Sequence, residues 1–277
     1  GIPHASVCGG RGRCTTCRVH VGEAVNHLPK PLEVEQRALD KINAEPKVRL
    51  ACQTRPEQTL SIRPMLSPSA TAGDANRAGG IQGREQEVAV MFVDLRGSTK
   101  IGEDKLPYDV LFVLNQFFAE MAGALEETGG HYAQFTGDGL MGLYGIDGNI
   151  KKGCRNAING AANMKQRLDN LNASLARELK EPLRMGVGIH AGDAIVGTMG
   201  PPESQNFSAI GDEVNIAARL EAQSKEYDCF LVISQAALEI ANVDASAHPV
   251  HLAELKGRIG KIEVFAVDDP RELVVPA

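Results

Sequence analysis

At 277 residues, with 43% hydrophobic and 23% charged residues, the chain is long enough for two compact domains and too ordinary in composition for overall disorder. A formal net charge of -6 excludes a generic binder of nucleic acid polymers, whose affinity rests on clustered Lys and Arg. The longest strongly apolar run, Val88 to Val93, falls far short of the roughly 20 residues a membrane helix needs, which excludes a membrane segment in this chain.

The chain opens on Gly, with no charged-then-apolar leader, and reads as a piece of a longer cytoplasmic protein, with room upstream for a membrane tether. Four of its six cysteines, Cys8, Cys14, Cys17 and Cys52, crowd the first fifth, while Cys154 and Cys229 stand alone. That asymmetry disfavours a disulfide framework and favours a local metal site in a reducing compartment. After the cysteine loop, "CRVHVGEAV" alternates like a strand, and "PLEVEQRALDKINA" places Leu32, Leu39 and Ile42 at near-helical spacing. "VRLACQT" holds the fourth cysteine, and "TLSIRP" predicts a closing strand. Residues 1–66 make a first domain, and 67–85, rich in Pro, Ser, Ala and Gly, a flexible linker.

Four thiolates suit either zinc or a two-iron cluster, both roughly tetrahedral at each metal. Structural zinc usually takes two short Cys-x-x-Cys knuckles, whereas here three ligands share one loop and the fourth is distant. Gly9, Gly10 and Gly12 let backbone amides turn inward toward cluster sulfides. "VCGGRGRCTTC" with "LACQT" resembles the Cys-x5-Cys-x2-Cys [2Fe-2S] ferredoxins over about residues 2–66. The resemblance implies a [2Fe-2S] cluster on Cys8, Cys14, Cys17 and Cys52 in a truncated β-grasp, its N-terminal hairpin missing because only seven residues precede Cys8. "TLSIRP" is then expected to lack a pairing partner and leave an exposed edge.

Residues 86–270 alternate strand and helix signals, with a tail over 271–277. "EVAVMFVDL" predicts a short apolar strand, "PYDVLFVLNQFFAEMAGALEET" an amphipathic helix, and "HYAQFTGDGLMGLYG" two strands about a Gly-Asp-Gly turn. A helix over roughly 150–180 follows, and "LRMGVGIHAGDAIVGTMG" reads as two strands about a Gly-Asp turn. "DEVNIAARLEAQSK" is a helix, and "DCFLVIS" and "GKIEVFAVD" are strands. Such an order with hairpins is α+β and excludes a purely parallel doubly wound sheet.

Asp94 ends an apolar strand ahead of Ser98 and Thr99, which open a helix whose free amides suit phosphate. Asp138, at the hairpin turn, is placed to meet Asp94 across adjacent strands, and two carboxylates with two divalent cations serve in-line displacement at phosphorus. Alone, each Asp reads as a turn residue, and "NIAARLE" as an ordinary amphipathic helix. Together, "FVDLRGST", "FTGDGLMGLYG", "VGIHAGDAIVGTMG" and "IGDEVNIAARLE" resemble the class III nucleotide cyclases, in order and context. The resemblance implies a ferredoxin-like fold of paired β-α-β units and a head-to-tail homodimer with interfacial active sites. On that footing Asp94, Asp138 and the carbonyl of Leu95 hold two Mg²⁺ or Mn²⁺ ions, Asn215 orients the ribose, Arg219 meets transition-state charge, and Lys256 neutralises the terminal phosphates. The i, i+4 spacing sets Asn215 and Arg219 on one helix face. His190, Cys154 and Cys229 are left as structural residues.

Base choice in the class is read at positions held here by Gln134 and Ser208. Ser208 can replace the hydroxyl of the adenylate-forming members, whereas the amide of Gln134 suits either purine. The expectation is an adenylate cyclase making cyclic AMP from ATP, with guanylate cyclase the alternative and the iron-sulfur domain a redox input to signal transduction through some redox partner. Two rivals are a degenerate cyclase half that only transmits a dimer signal, and an electron carrier fused to an unrelated domain.

Overall fold

The computed structural model describes residues 5–22, 28–66, 83–98, 101–102, 105–137, 139–199, 205–254 and 260–276, with the backbone alone for Phe135 and Thr136. They fall into two compact units, one within residues 1–82 and the other in 83–200 and 204–277.

In the first unit, β1 (Arg18–Val21) pairs antiparallel with β2 (Val48–Leu50) on one side and β3 (Ile62–Pro64) on the other. The expectation that "TLSIRP" has no partner is therefore corrected. Val21 faces Ile62 and Val19 faces Pro64, while the outer edge of β3 is unpaired among the described residues, with Ile62 and Arg63 exposed. Helix α1 (Glu33–Lys41) has acids in its first turn and Lys41 in its last, matching the helix dipole. It buries Leu39 against Cys17, Val48 and Leu50, whereas Leu32 and Ile42 stay exposed. The spacing that groups them with Leu39 spans the helix and its flanks, and both lie outside its regular turns. Its other buried position is Glu35, whose carboxylate takes Arg49 in a two-pronged ion pair at 2.8 and 2.9 Å and also accepts the Leu50 amide at 2.8 Å.

The second unit is built on an eight-stranded sheet in the order β10-β11-β9-β7-β4-β6-β5, with β8 beside β7. Its strands are β4 (Arg84–Arg96), β5 (His131–Thr136), β6 (Gly139–Tyr144), β7 (Arg184–Met199), β8 (Asn206–Ile210), β9 (Leu231–Ser234), β10 (Val250–Glu254) and β11 (Lys261–Val267). All pairings are antiparallel except β7 with β9, as expected of an α+β sheet. Helices α2 (Pro107–Glu127), α3 (Ile150–Ser174) and α5 (Gln235–Ala241) cover one face, packing on Ala89, Met91, Val93 and Leu95. Helix α4 (Asp212–Glu226) covers part of the other, where Val214 and Ala217 meet Val88, Val90 and Val196. After a short turn at Pro270–Glu272, Leu273 returns to the larger core.

Two expected strands about Gly192-Asp193 are instead one continuous strand of 16 residues, Gly192 facing Val88 and Asp193 facing Glu87. The strand expected at "EVAVMFVDL" runs 13 residues, because β7 pairs with it along its whole length. β8, β10 and α5 add elements that the sequence pattern does not announce.

Candidate active site and cysteine cluster

Residues alternate faces along a strand, so Asp94 lies in phase with Val88, Val90 and Phe92, on the face that carries α4. It is half-buried at the end of β4, flanked by Gly139 of β6 and Gly186 of β7, neither of which crowds it with a side chain. Gly139 directly follows Asp138 in sequence; Asp138 itself, like Thr99 and Lys256, lies outside the described residues. Beyond Asp94 the chain turns at Gly97 (φ +70°), and the Ile101 amide donates to its carbonyl at 3.3 Å. Ser98 sits half-buried in that turn. The Leu95 side chain points the other way, into the large core.

Asn215 and Arg219 share a face of α4, exposed and half-buried respectively. The helix is seated by close approach. A Cβ on Gly188 of β7 would come within 2.2 Å of the Glu221 amide and 2.4 Å of the Ala217 carbonyl, so no side chain fits there. Its far end is held by Arg96, whose Nη2 donates to the Ser224 carbonyl at 2.6 Å, the Ser224 hydroxyl at 3.0 Å and the Cys229 carbonyl at 2.5 Å. A cation at the C-terminal carbonyls suits the helix dipole. Burial and the neighbouring Arg184 guanidinium pull the Arg96 pKa down, with Asp228 opposing. Sequence reasoning missed Arg96; the available signal is its place two residues after Asp94, on the same face of β4.

Gln134 is exposed on β5, just past a bulge, and Ser208 is buried on β8 opposite Gly197. Their strands meet where the His131 and Phe207 rings stack edge to face at 4.8 Å.

The cysteines of the first unit form two pairs. The Cys17 thiol donates to Cys52 at 3.3 Å, and Cys8 is hydrogen-bonded to Cys14, which also contacts the Thr16 hydroxyl at 3.0 Å. Burial pushes the Cys17 thiol up to about 12. Burial pushes Cys8 up as well, but Cys14 and the amides of Arg13, Arg11 and Gly10 outweigh it and hold this thiol below its ordinary value. Gly9, Gly10 and Gly12, all at positive φ, allow that convergence of amides, which favours an anionic sulfur. Gln53 Nε2 ties the loop to the fourth cysteine, donating to the Gly10 carbonyl at 2.7 Å and to Cys52 Sγ at 3.4 Å. Among the described residues no group of three or more His, Cys, Asp or Glu side chains is disposed to hold one ion. Two thiol pairs, three of their four sulfurs on one glycine-rich loop and the fourth brought to it from beyond β2, suit two adjacent tetrahedral metals better than one.

Residues 81–269 match the model of the adenylate and guanylate cyclase catalytic domain, and residues 1–57 that of the 2Fe-2S iron-sulfur cluster binding domain. Adenylate cyclase 1 of Rhizobium meliloti is 28% identical over 70% of this chain, and the adenylate cyclase of Anabaena cylindrica 32% identical over 54%. The chain spans 29% and 30% of their lengths. Among solved structures, the guanylyl cyclase Cya2 superposes with a TM-score of 0.61 at 27% identity, covering 70% of this chain and 99% of that one.

Proposed function

The chain belongs to the adenylate and guanylate cyclase catalytic family, with a 2Fe-2S binding domain ahead of the cyclase domain, and we propose that it converts ATP to 3′,5′-cyclic AMP and pyrophosphate. The observation that carries this reading is the placement of Asp94 beside Gly139, together with Asn215 and Arg219 on one face of a helix seated on β7. A carboxylate flanked by glycines at a strand end leaves room for cation and phosphate. Asp94, Asp138 and the Leu95 carbonyl would hold two Mg²⁺ or Mn²⁺ ions, which when bound lower the pKa of the 3′-hydroxyl and neutralise phosphate charge.

The 3′-oxygen attacks the α-phosphorus as its proton passes to solvent water, the bond from the α-phosphorus to the bridging oxygen of the β-phosphate breaks, and pyrophosphate departs. Asn215 orients the ribose for in-line attack, Arg219 meets the charge that develops on the α-phosphate and leaving group, Lys256 binds the terminal phosphates, and Ser98 and Thr99 contribute to phosphate binding. Ser208, buried on β8, favours adenine, and Gln134, exposed on β5, tolerates guanine, so GTP is the second substrate to test. The active unit is a head-to-tail homodimer. The domains are assigned as 1–66, 67–85 as linker, 86–270 and 271–277 as tail, with Arg84 and Glu85 already paired in β4 and Leu273 packed in the larger core, while 67–82 of the linker lie outside the described residues. Among the described residues no helix is long and apolar enough to cross a membrane.

Cys8 with Cys14, and Cys17 with Cys52, would each hold one iron of a [2Fe-2S] cluster, and this domain reports redox state to the cyclase. The donor chemistry supports that assignment, since the pairs and the inward amides are what such a cluster needs. The deciding experiment assays purified protein with ATP and with GTP in Mn²⁺ alongside its visible absorption spectrum. Cyclic AMP and a cluster spectrum are expected; no turnover with either nucleotide sinks the cyclase reading, and a colourless, iron-free protein sinks the cluster.

A further inference from the structure

The geometry points to His190 as a positioning residue for the helix that bears Asn215 and Arg219, an inference that rests on the roles given to those two side chains above. His190 is buried on β7, near the middle of the sheet. Its Nδ1 lies 2.8 Å from the Ser234 hydroxyl and its Nε2 2.5 Å from Glu213 Oε2. Ser234 caps α5, its oxygen accepting the Ala237 amide at 3.3 Å. The Glu213 carboxylate can only accept, so Nε2 donates to it, and in the neutral ring Nδ1 then accepts the Ser234 hydroxyl proton.

Glu213 stands in the first turn of α4, two residues before Asn215. Room for it is made on β7, where a Cβ on Gly192 would come within 2.9 Å of Glu213 Cγ. One buried ring thus joins β7, the cap of α5 and the first turn of the helix. The close approach at Gly188 sets how near α4 lies to the sheet, Val214, Ile216, Ala217 and Leu220 pack it there, and Arg96 holds its far end at Ser224. At the first turn, beside Asn215, the directed contact is the hydrogen bond between His190 and Glu213, which sets the helix rotation at that end. Rotation matters because misplacing a catalytic group by about 1 Å can cost on the order of 10²-fold in rate.

The test measures kcat and KM with ATP and Mn²⁺ for the wild type, His190→Phe, His190→Gln, Arg219→Ala and the double variant His190→Phe/Arg219→Ala. His190→Phe is expected to lower kcat by about 10- to 100-fold while KM stays within about threefold. His190→Gln, whose amide can still donate to Glu213, recovers most of the loss. In the Arg219→Ala background, His190→Phe costs less than it does in the wild type, because the part of its effect that passes through Arg219 is already gone while the part through Asn215 remains. Costs that multiply, or a Gln variant as slow as the Phe variant, overturn the inference alone. An inactive wild type or a fully active Arg219→Ala overturns the reading of the site and this inference with it. If His190→Phe does not fold, Glu213→Ala, which truncates a side chain 26% exposed, carries the same comparison.

Discussion

Cys154 and Cys229 lie buried in the cyclase unit, and burial pushes their thiols up to about 12 and about 11. An unfolded thiol ionises near 9, so the folded state holds protons that the unfolded state releases above that pH. The stability this contributes is fully present below pH 9 and is lost as the pH rises through 11 to 12. Urea midpoints are therefore expected to fall between pH 8 and pH 10.5, and to fall less in Cys154→Ala/Cys229→Ala; equal falls refute the account. On the catalytic side, Arg219→Ala should lower kcat by about 10²- to 10³-fold, the usual cost of deleting one preorganised transition-state donor. Asp94, Asn215, Arg219 and the four clustered cysteines are legible as candidates in the sequence because their chemistry travels with short motifs. Arg96 and Glu213 are not: Arg96 works on Ser224, 128 positions away, and Glu213 on His190, so only the folded chain brings their partners to them.

At the level of elements, the same glycines that suggest turns in the sequence serve close approach in the fold. "GIHAGDAIVG" looks like two strands because Gly-Asp is turn composition, yet Gly192 sits mid-strand beneath Glu213, and Gly188 sits beneath Ala217 and Glu221. Nothing local distinguishes the two uses; the long antiparallel pairing with β4 decides. Gly188→Ala should lift α4 and cost about 1–3 kcal/mol as an overpacked contact, with turnover falling further than stability alone explains. Thermal melting and kcat measured on the same preparation check this, and a variant with normal melting and normal kcat refutes it. In the first unit the buried pair of Glu35 with Arg49 ties α1 to β2, and Cys52 lies two residues past the end of β2. Removing one partner leaves a buried charge uncompensated, so Glu35→Ala should cost about 3–5 kcal/mol and loosen the fourth cysteine. Circular dichroism in denaturant gives the stability, and the visible spectrum the effect on the cluster.

Across the whole molecule, the two units keep separate cores, one around Cys17, Leu39 and Leu50 and the others around the large sheet. Cyclisation of a nucleotide needs neither electrons nor a thiolate, so an iron-sulfur domain can act on it only through a coupling free energy between cluster and nucleotide site. Such couplings usually amount to 1–3 kcal/mol, about 5- to 150-fold in affinity, and for binding they are reciprocal. If oxidised and reduced protein differ about fivefold in nucleotide affinity, bound nucleotide must shift the cluster's one-electron potential by about 40 mV, since a tenfold change corresponds to about 59 mV. Redox titration of the full chain with and without a non-cyclisable ATP analogue measures that shift without any assay of turnover. A shift whose sign matches the state that binds ATP more tightly establishes the coupling. Equal potentials, with equal cyclase rates in the oxidised, reduced and Cys52→Ser proteins, would mean that a cluster in the first unit serves a purpose other than regulating the second.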